Sequence, residues 1–403
     1  PADRNLGGIK LKSNIIASSA AITLSRMTGE ATGVSFRGDL GLKLNGSKPA
    51  VTANLTTGAL DLNKYVPKAQ RESSNDDSLW RHAFEAEPPR ARFHKASWSR
   101  LSRAPVSQML LNKVISSRWS KDPIDISALN SFDADVRLKT TRLTLGKLPL
   151  DNADLAVALN NGVLDVRRAT ANLFRGKVKL SGKAAATSGT GQYQSRFTLQ
   201  GVSMPLALRA FGTRTLKSGT MEVVGEFRSS GRSVADMISR LTGTGSISLT
   251  AMDVTKGAGA GSAFSGVTNL LTALYQFAGS LGGPVGAVKA DLRASFNVEK
   301  GIASYDDMTL TSPVGNGSAK GMVDLPNWRI NTSGTIDLSR SLLLQVLADQ
   351  KEASLIPFQL TGPIETPNVK LDTSKIGGRL RIPGGIGKKL DKILKNKGFG
   401  GVL

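Results

Sequence analysis

Cysteine is absent from the chain, so disulfide staples and thiolate metal sites are both excluded. Histidine is nearly absent. His82 and His94 lie together in a polar stretch, too few to build a zinc site, and read as solvated loop residues. No metal and no cofactor is expected. Aromatic residues make up only 5% of the chain, which leaves little material for a base-stacking platform. Acidic side chains are also short in number: 31 against 53 lysines and arginines, for a net charge of +22. Nucleic-acid binding would gather such an excess into an arm or a patch. Here the basic residues are scattered from Arg4 to Lys397. No nucleic-acid partner is therefore expected, and the excess suits an anionic membrane surface or an envelope polyanion.

Catalytic signatures are missing too. No G-x-S-x-G elbow occurs. The Gly-Lys pairs are followed by Leu148, Val178, Ala184 and Lys389, so none completes a phosphate loop. Gly257, Gly259 and Gly261 lack a third glycine at Ser262 and read as a connector. The acid pairs Asp133/Asp135, Asp151/Asp154 and Asp306/Asp307 sit opposite apolar neighbours or beside turns, and read as a solvated strand face rather than an acid–base dyad. The expectation is a protein with no catalytic residues. No stretch is a clean membrane span: residues 257–288 lack charge but are broken by Gly279, Gly282, Gly283 and Pro284. The sequence starts at Pro1 rather than Met and reads as a mature or truncated piece.

What is present is alternation with a period of two. Phe132, Ala134, Val136 and Leu138 alternate with Asp133, Asp135, Arg137 and Lys139. Leu40, Leu42 and Leu44 repeat the pattern, as do Leu155, Val157 and Leu159, then Met221, Val223 and Phe227, then Leu292, Ala294, Phe296 and Val298. Such strands have one apolar and one wet face. Turn signals divide them at Asn160-Asn161-Gly162, Arg175-Gly176, Lys300-Gly301 and Asn316-Gly317, so the pairing should be antiparallel. The 43 glycines fit many short connections. A strand–turn–strand–turn–strand unit recurs loosely at 153–182 and 291–323, too irregular for a strict solenoid.

Three regions depart from the pattern. Residues 68–121 are polar and Pro-containing, hold Trp80, Trp98 and Trp119, and read as a linker or lid with short helices. Residues 264–281 carry Phe264, Val267, Leu270, Leu271, Leu274, Tyr275 and Phe277 at helical spacing. Near the end, Ile386, Leu390, Ile393 and Leu394 form an apolar stripe flanked by Lys388, Lys389, Lys392 and Lys395. This is a short basic amphipathic helix suited to docking on a membrane or a partner. Few helices remain to cover the strands, so the sheet must form a sandwich, close into a barrel, or curl into a trough that holds an apolar guest.

At this point the residues resemble a known family. The run 123–138, PIDISALNSFDADVRL, is similar to a strand motif of the AsmA family, and the likeness continues through LPLDNADLAVALNNGVLDVRRATANLFRGKVKLSG. Residues 42–67, whose strands close on Leu60-Asp61-Leu62, resemble the same family, as do 301–338 and the segment FQLTGPIETPNVKLD at 358–372. The resemblance implies a periplasmic protein of the Gram-negative envelope, anchored in the inner membrane by an N-terminal helix not seen in this sequence. It implies a long β-groove related in design to bridge-like lipid-transfer proteins, with phospholipid or another lipid as partner.

The expectation is then a mainly β protein: an elongated, antiparallel, strongly curved sheet forming an apolar groove, with a few short helices. It divides into a β segment at 1–67, a linker or lid at 68–121, a β-groove region at 122–375 with a helix near 264–281, and a basic tail at 376–403. The groove lining, inferred from alternation, is Leu40, Leu42, Leu44, Val136, Leu138, Leu155, Val157, Leu159, Leu292, Phe296 and Val298. Membrane or envelope-partner docking falls to Ile386, Lys388, Lys389, Leu390, Lys392, Ile393 and Leu394. Two other readings stay open: a scaffold for outer-membrane protein assembly with a dry core, and an envelope polyanion or glycan binder.

Overall fold

The computed structural model describes residues 8–64, 119–187, 189–211, 216–253, 289–313, 315–337, 355–364 and 366–372. They form one seventeen-stranded sheet. Its strands are β1 (Ile9–Ala17), β2 (Ala21–Ala31), β3 (Val34–Lys43), β4 (Ala50–Asp61), β5 (Asp133–Leu145), β6 (Leu148–Asn160), β7 (Val163–Leu173), β8 (Gly176–Thr187) and β9 (Thr190–Ser203). They continue with β10 (Thr220–Gly231), β11 (Thr242–Asp253), β12 (Lys289–Glu299), β13 (Ile302–Ser312), β14 (Gly315–Asp324), β15 (Arg329–Asp337), β16 (Leu355–Pro363) and β17 (Asn368–Leu371). Among the described residues two short α-helices, α1 (Met204–Ala210) and α2 (Val234–Ser239), sit in connections between strands. The 264–281 helix, the 386–394 tail, and all of the 68–121 linker except Trp119 to Lys121 lie outside the described residues.

Among the described residues each strand pairs with the next in sequence, and the sheet does not close: β1 pairs there only with β2, and β17 only with β16. The turns explain this order. Asn161 and Gly162 both have positive φ, as do Lys300 and Gly301, which is the backbone of a two-residue hairpin turn matched to strand twist. Two turn expectations need correction. The β7–β8 turn is Phe174–Arg175, with Gly176 already the first residue of β8. Asn316-Gly317 is not a turn: both residues lie inside β14, paired with Asp337 and Ile336.

One pairing is parallel, β4 with β5, in the register Leu55–Leu138. Parallel neighbours require the chain to return from one rim of the sheet to the other. That return occupies the residues between Asp61 and Asp133. Its described end, 119–132, runs along the rim. Ala235 N donates to Ser120 O (2.9 Å), Ile124 N to Arg232 O (2.7 Å) and Trp119 Nε1 to Leu325 O (2.8 Å). Trp119 also meets Trp328 edge-on at 5.6 Å. The same rim is stitched turn to turn: Gly301 N donates to Leu241 O, Leu325 N to Gly301 O, and Ile364 N to Trp328 O. These bonds satisfy loop backbone groups that a strand ladder cannot reach.

Extra residues in several strands bend the sheet. Between Leu24 and Met27 the β2–β3 register shifts, with Arg26 at positive φ, and the released Arg26 N–H donates to Asp39 Oδ1 at 2.9 Å. The same device recurs at Ala251, whose N–H donates to Asp291 Oδ1 at 2.7 Å beside the β11–β12 shift. Opposite the Tyr305/Met308 shift, Ser295 N donates to Asp307 Oδ1 at 2.8 Å. Such bulges increase the local twist and bend the strand. They also keep Leu24 and Met27, or Leu249 and Met252, on one face although they are three apart in sequence.

The result is a sheet curled around part of its own apolar face. One buried cluster draws residues from β9 to β16 together: Val202, Met221, Leu249, Leu292, Leu310, Ala319, Ile336, Ile356 and Phe358. Met204, Ala207 and Leu208 of α1 join it. A flat sheet would spread those strands over more than about 30 Å at ~4.8 Å per strand.

Candidate functional site

The apolar face is continuous because the registers align it. Along one row, Leu24 stands beside Leu40, then Ala53, Val136, Val157 and Val166. The neighbouring row runs Met27, Gly38, Leu55, Leu138, Leu155, Ala169, Leu180 and Phe197. Nothing in the alternation of one strand requires the next to match it. The pairing does so, since a slip of one residue would turn a whole strand inside out.

This face is open in one half and closed in the other. On β1 to β8, Leu24, Leu40, Leu42, Leu55, Val136, Leu138, Leu155, Val157 and Val166 are half-buried, with side-chain surface still accessible. Leu11, Ile15 and Leu180 are exposed. On β10 to β16 the same face is dry away from the aromatic rings of β10 and β12: Leu249 is 1% exposed, and Ile336 0%. The alternation-derived lining divides, and not strictly by halves: Leu159 of β6 is buried, as is Met27 of β2, whereas Phe296 of β12 is half-buried. Leu40, Leu42, Val136, Leu138, Leu155, Val157 and Phe296 are half-buried on it, whereas Leu159, Leu292 and Val298 are fully buried. Leu44 stands one residue beyond β3 and is 48% exposed.

An aromatic shelf lies across β9 to β12; Phe227 belongs to the alternating run of β10, whereas Phe197 lies in no alternating run named from the sequence. Phe197 and Phe227 stack at 5.8 Å, and Phe227 and Phe296 at 6.4 Å, all half-buried. The rings lie over glycine. Phe197 pairs with Gly225, Phe227 with Gly243, and Phe296 with Gly245. A Cβ at Gly245 would meet Phe296 Cζ at 2.5 Å and Val224 O at 2.7 Å. Gly245→Ala is therefore expected to cost about 1–3 kcal/mol, the usual penalty of overpacking. Urea denaturation should show the midpoint fall, and an unchanged midpoint would mean that the rings do not rest on the backbone.

Across β12 to β16, Leu310, Met308, Ile330, Phe358 and Leu360 line an apolar recess of about 40 Å³. Tyr305 and Thr332 meet in it by a hydrogen bond, and burial pushes the Tyr305 phenol upward in pKa. The recess has room for a methyl-sized group, not a chain.

The opposite face is polar and carries the acid pairs as structural groups. Asp135 pairs with Arg167 at 3.2 Å, Asp154 with Arg168 at 3.1 Å, and Asp151 with Arg142 at 2.5 Å. Asp133 accepts from Asn161 N. These exposed pairs contribute little to stability. Glu226 accepts from Arg196, which holds its carboxyl below the usual carboxylate range. Asp307 is lowered mainly by its bond from Ser295 N. A carboxylate with a depressed folded-state pKa stabilises above its unfolded pKa, and that contribution is lost as pH falls through the folded value. Arg196→Gln should thus shift the Glu226 titration upward toward the ordinary glutamate range, read by carboxyl NMR shifts, and leave Asp307 unmoved.

Among the described residues no helix is long and apolar enough to cross a membrane. Neither a curated protein nor a solved structure matches the chain. The model of the AsmA family matches residues 3–255, and the similar segments at 301–338 and 358–372 lie beyond that stretch. With a match over more than half its length, running through β1 to β11 and so through the whole open half of the apolar face, the chain belongs to the AsmA family.

Proposed function

We propose that this protein binds phospholipid acyl chains along the open apolar face of β1 to β8, as a non-enzymatic component of outer-membrane biogenesis in the periplasm. The observation that carries this reading is the row of half-buried aliphatic residues, aligned strand to strand and left accessible to solvent. Apolar surface left in water forgoes roughly 25 cal/mol per Å². An acyl chain laid along the row recovers that term without a covalent step, while its headgroup stays at the wet edge. Membership of the AsmA family is consistent with a role in envelope lipid traffic. The inner membrane is the proposed anchor site, and an envelope protein at the C-terminal tail is the proposed partner.

Native mass spectrometry of the purified protein tests this directly. Adducts of phospholipid mass, released by organic extraction, are expected. Protein that sprays bare after gentle purification, and takes up no lipid from vesicles, would overturn the reading. The second reading, a scaffold for outer-membrane protein assembly, is favoured by the dry cluster on β9 to β16, which leaves no room for a guest.

A further inference from the structure

The polar face holds a cleft that the groove does not use. It lies where β8, β9, β10 and β11 reach the rim beside α2, and its volume is about 500 Å³. Register builds it. Lys183, Gln194, Arg228 and Thr242 stand side by side across the four strands, on the side opposite the aromatic shelf. The chain leaving α2 brings Arg240 to the same cleft. Ala185 and Ser230 supply a floor of small side chains.

Three cationic side chains thus converge on one concavity, and none forms an ion pair with a described residue. The nearby acids do not bond to the cleft cations. Glu226 is held by Arg196 and by Gln194, and it also attracts Arg228 through charge without a direct bond. Asp165 stands opposite Lys183 on β7 but makes no ion pair with it. Elsewhere on this face Arg142, Arg167, Arg168 and Arg196 each have a carboxylate, while Arg137 on β5 makes no ion pair with a described residue. Cations held close together repel one another, and a bound anion relieves that. Two guanidiniums and an ammonium, bordered by hydroxyl and amide groups, match the oxygens of a phosphate group.

We infer that the cleft of Lys183, Arg228 and Arg240 is a phosphate-ester binding site, separate from the apolar face and independent of what that face holds. The shared chemistry is a phosphoryl anion, carried either by a soluble ester or by a lipid headgroup presented to the rim.

The test uses the full chain and two probes: glycerol 3-phosphate by titration calorimetry, and flotation with vesicles of phosphatidylglycerol in phosphatidylcholine. Arg228→Gln/Arg240→Gln is compared with Lys177→Gln/Lys179→Gln, which removes the same charge from β8 outside the cleft. Each altered side chain is exposed, and circular dichroism and the melting temperature of both variants should match the parent. Saturable binding of glycerol 3-phosphate is expected, weakened roughly tenfold or more in the cleft variant by loss of two charge-assisted contacts. The β8 variant should change it less than about twofold. A matching loss of flotation in the cleft variant alone assigns the site to a headgroup, and flotation equal in all proteins assigns it to a soluble ester. The inference is overturned if neither probe shows binding that depends on the cleft, or if both double variants weaken it equally, which is the signature of diffuse surface charge. Because glycerol 3-phosphate carries no acyl chain, and the flotation arm is read only as the difference between the two double variants, the result stands or falls apart from the lipid reading of the opposite face.

Discussion

Val157→Asp should fold and lose its lipid. Val157 sits mid-sheet on β6, between Val136 of β5 and Val166 of β7, with Leu155 and Leu159 along the same strand face. It is half-buried, so a carboxylate there retains water in the unliganded protein, and the β-sheet circular dichroism should persist. An acyl chain laid over it would strip that water, at a cost of several kcal/mol for an unpaired charge. Co-purified phospholipid should therefore disappear, and so should complementation of an envelope defect. The control is Ala156→Asp, one residue away on the polar face, where Arg137 and Arg168 stand on either side. The new carboxylate meets two cations, and both fold and lipid content should be kept. If both variants fold and both keep lipid, the groove assignment fails. If Val157→Asp cannot fold, the face is a dry core even here, and the scaffold reading gains.

The closed half predicts a different response. Ile336 is 0% exposed and packs in the row between Gly317 and Ile356. Ile336→Ala removes three carbons from a filled core, and the lost transfer energy adds to the cost of the cavity, together about 2–5 kcal/mol. Leu40→Ala removes the same number of carbons from the half-buried face of β3, where solvent or a guest takes their place, and should cost less than about 1.5 kcal/mol. The lipid readout should reverse this order: Leu40→Ala lowers the lipid bound per protein, and Ile336→Ala leaves it unchanged in the folded fraction. Urea midpoints and extracted lipid measured on the same samples separate the two. Equal destabilisation by both substitutions would mean that the two halves of the face are alike.

Much of this architecture is legible in the chain. Alternation is local chemistry: a strand with Val136 and Leu138 on one side and Arg137 and Lys139 on the other has one dry face wherever it is placed. Turns are local as well, and Asn161-Gly162 and Lys300-Gly301 hold positive φ because asparagine, lysine at modest strain, and glycine tolerate it. Strand type, the antiparallel tendency and the likeness to the AsmA family all follow from stretches a few residues long. Local pattern misleads where it is interrupted. Asn316-Gly317 has the composition of a turn, yet lies in β14, because the chain has already reversed before Gly315 and the ladder to β15 claims both residues. Leu44 continues an alternation whose strand ends at Lys43, and its side chain is left exposed at the strand's end.

Only the tertiary structure decides the rest, because the rest depends on residues far apart in sequence. The parallel junction of β4 with β5 joins segments separated by some seventy residues, and no alternation reports it. The bulges at Arg26 and Ala251 are held by carboxylates from neighbouring strands, Asp39 and Asp291, so the curl they produce is not written in any one strand. Curl in turn decides which part of a uniform apolar face is covered. Leu155 and Leu292 are indistinguishable as sequence, each a leucine in an alternating run. One is left accessible on an open sheet, while the other is closed over by strands and a helix that the bending brings back upon it. The basic cleft has the same origin: Lys183, Arg228 and Arg240 look like scattered surface charge until hydrogen-bonded register sets them side by side.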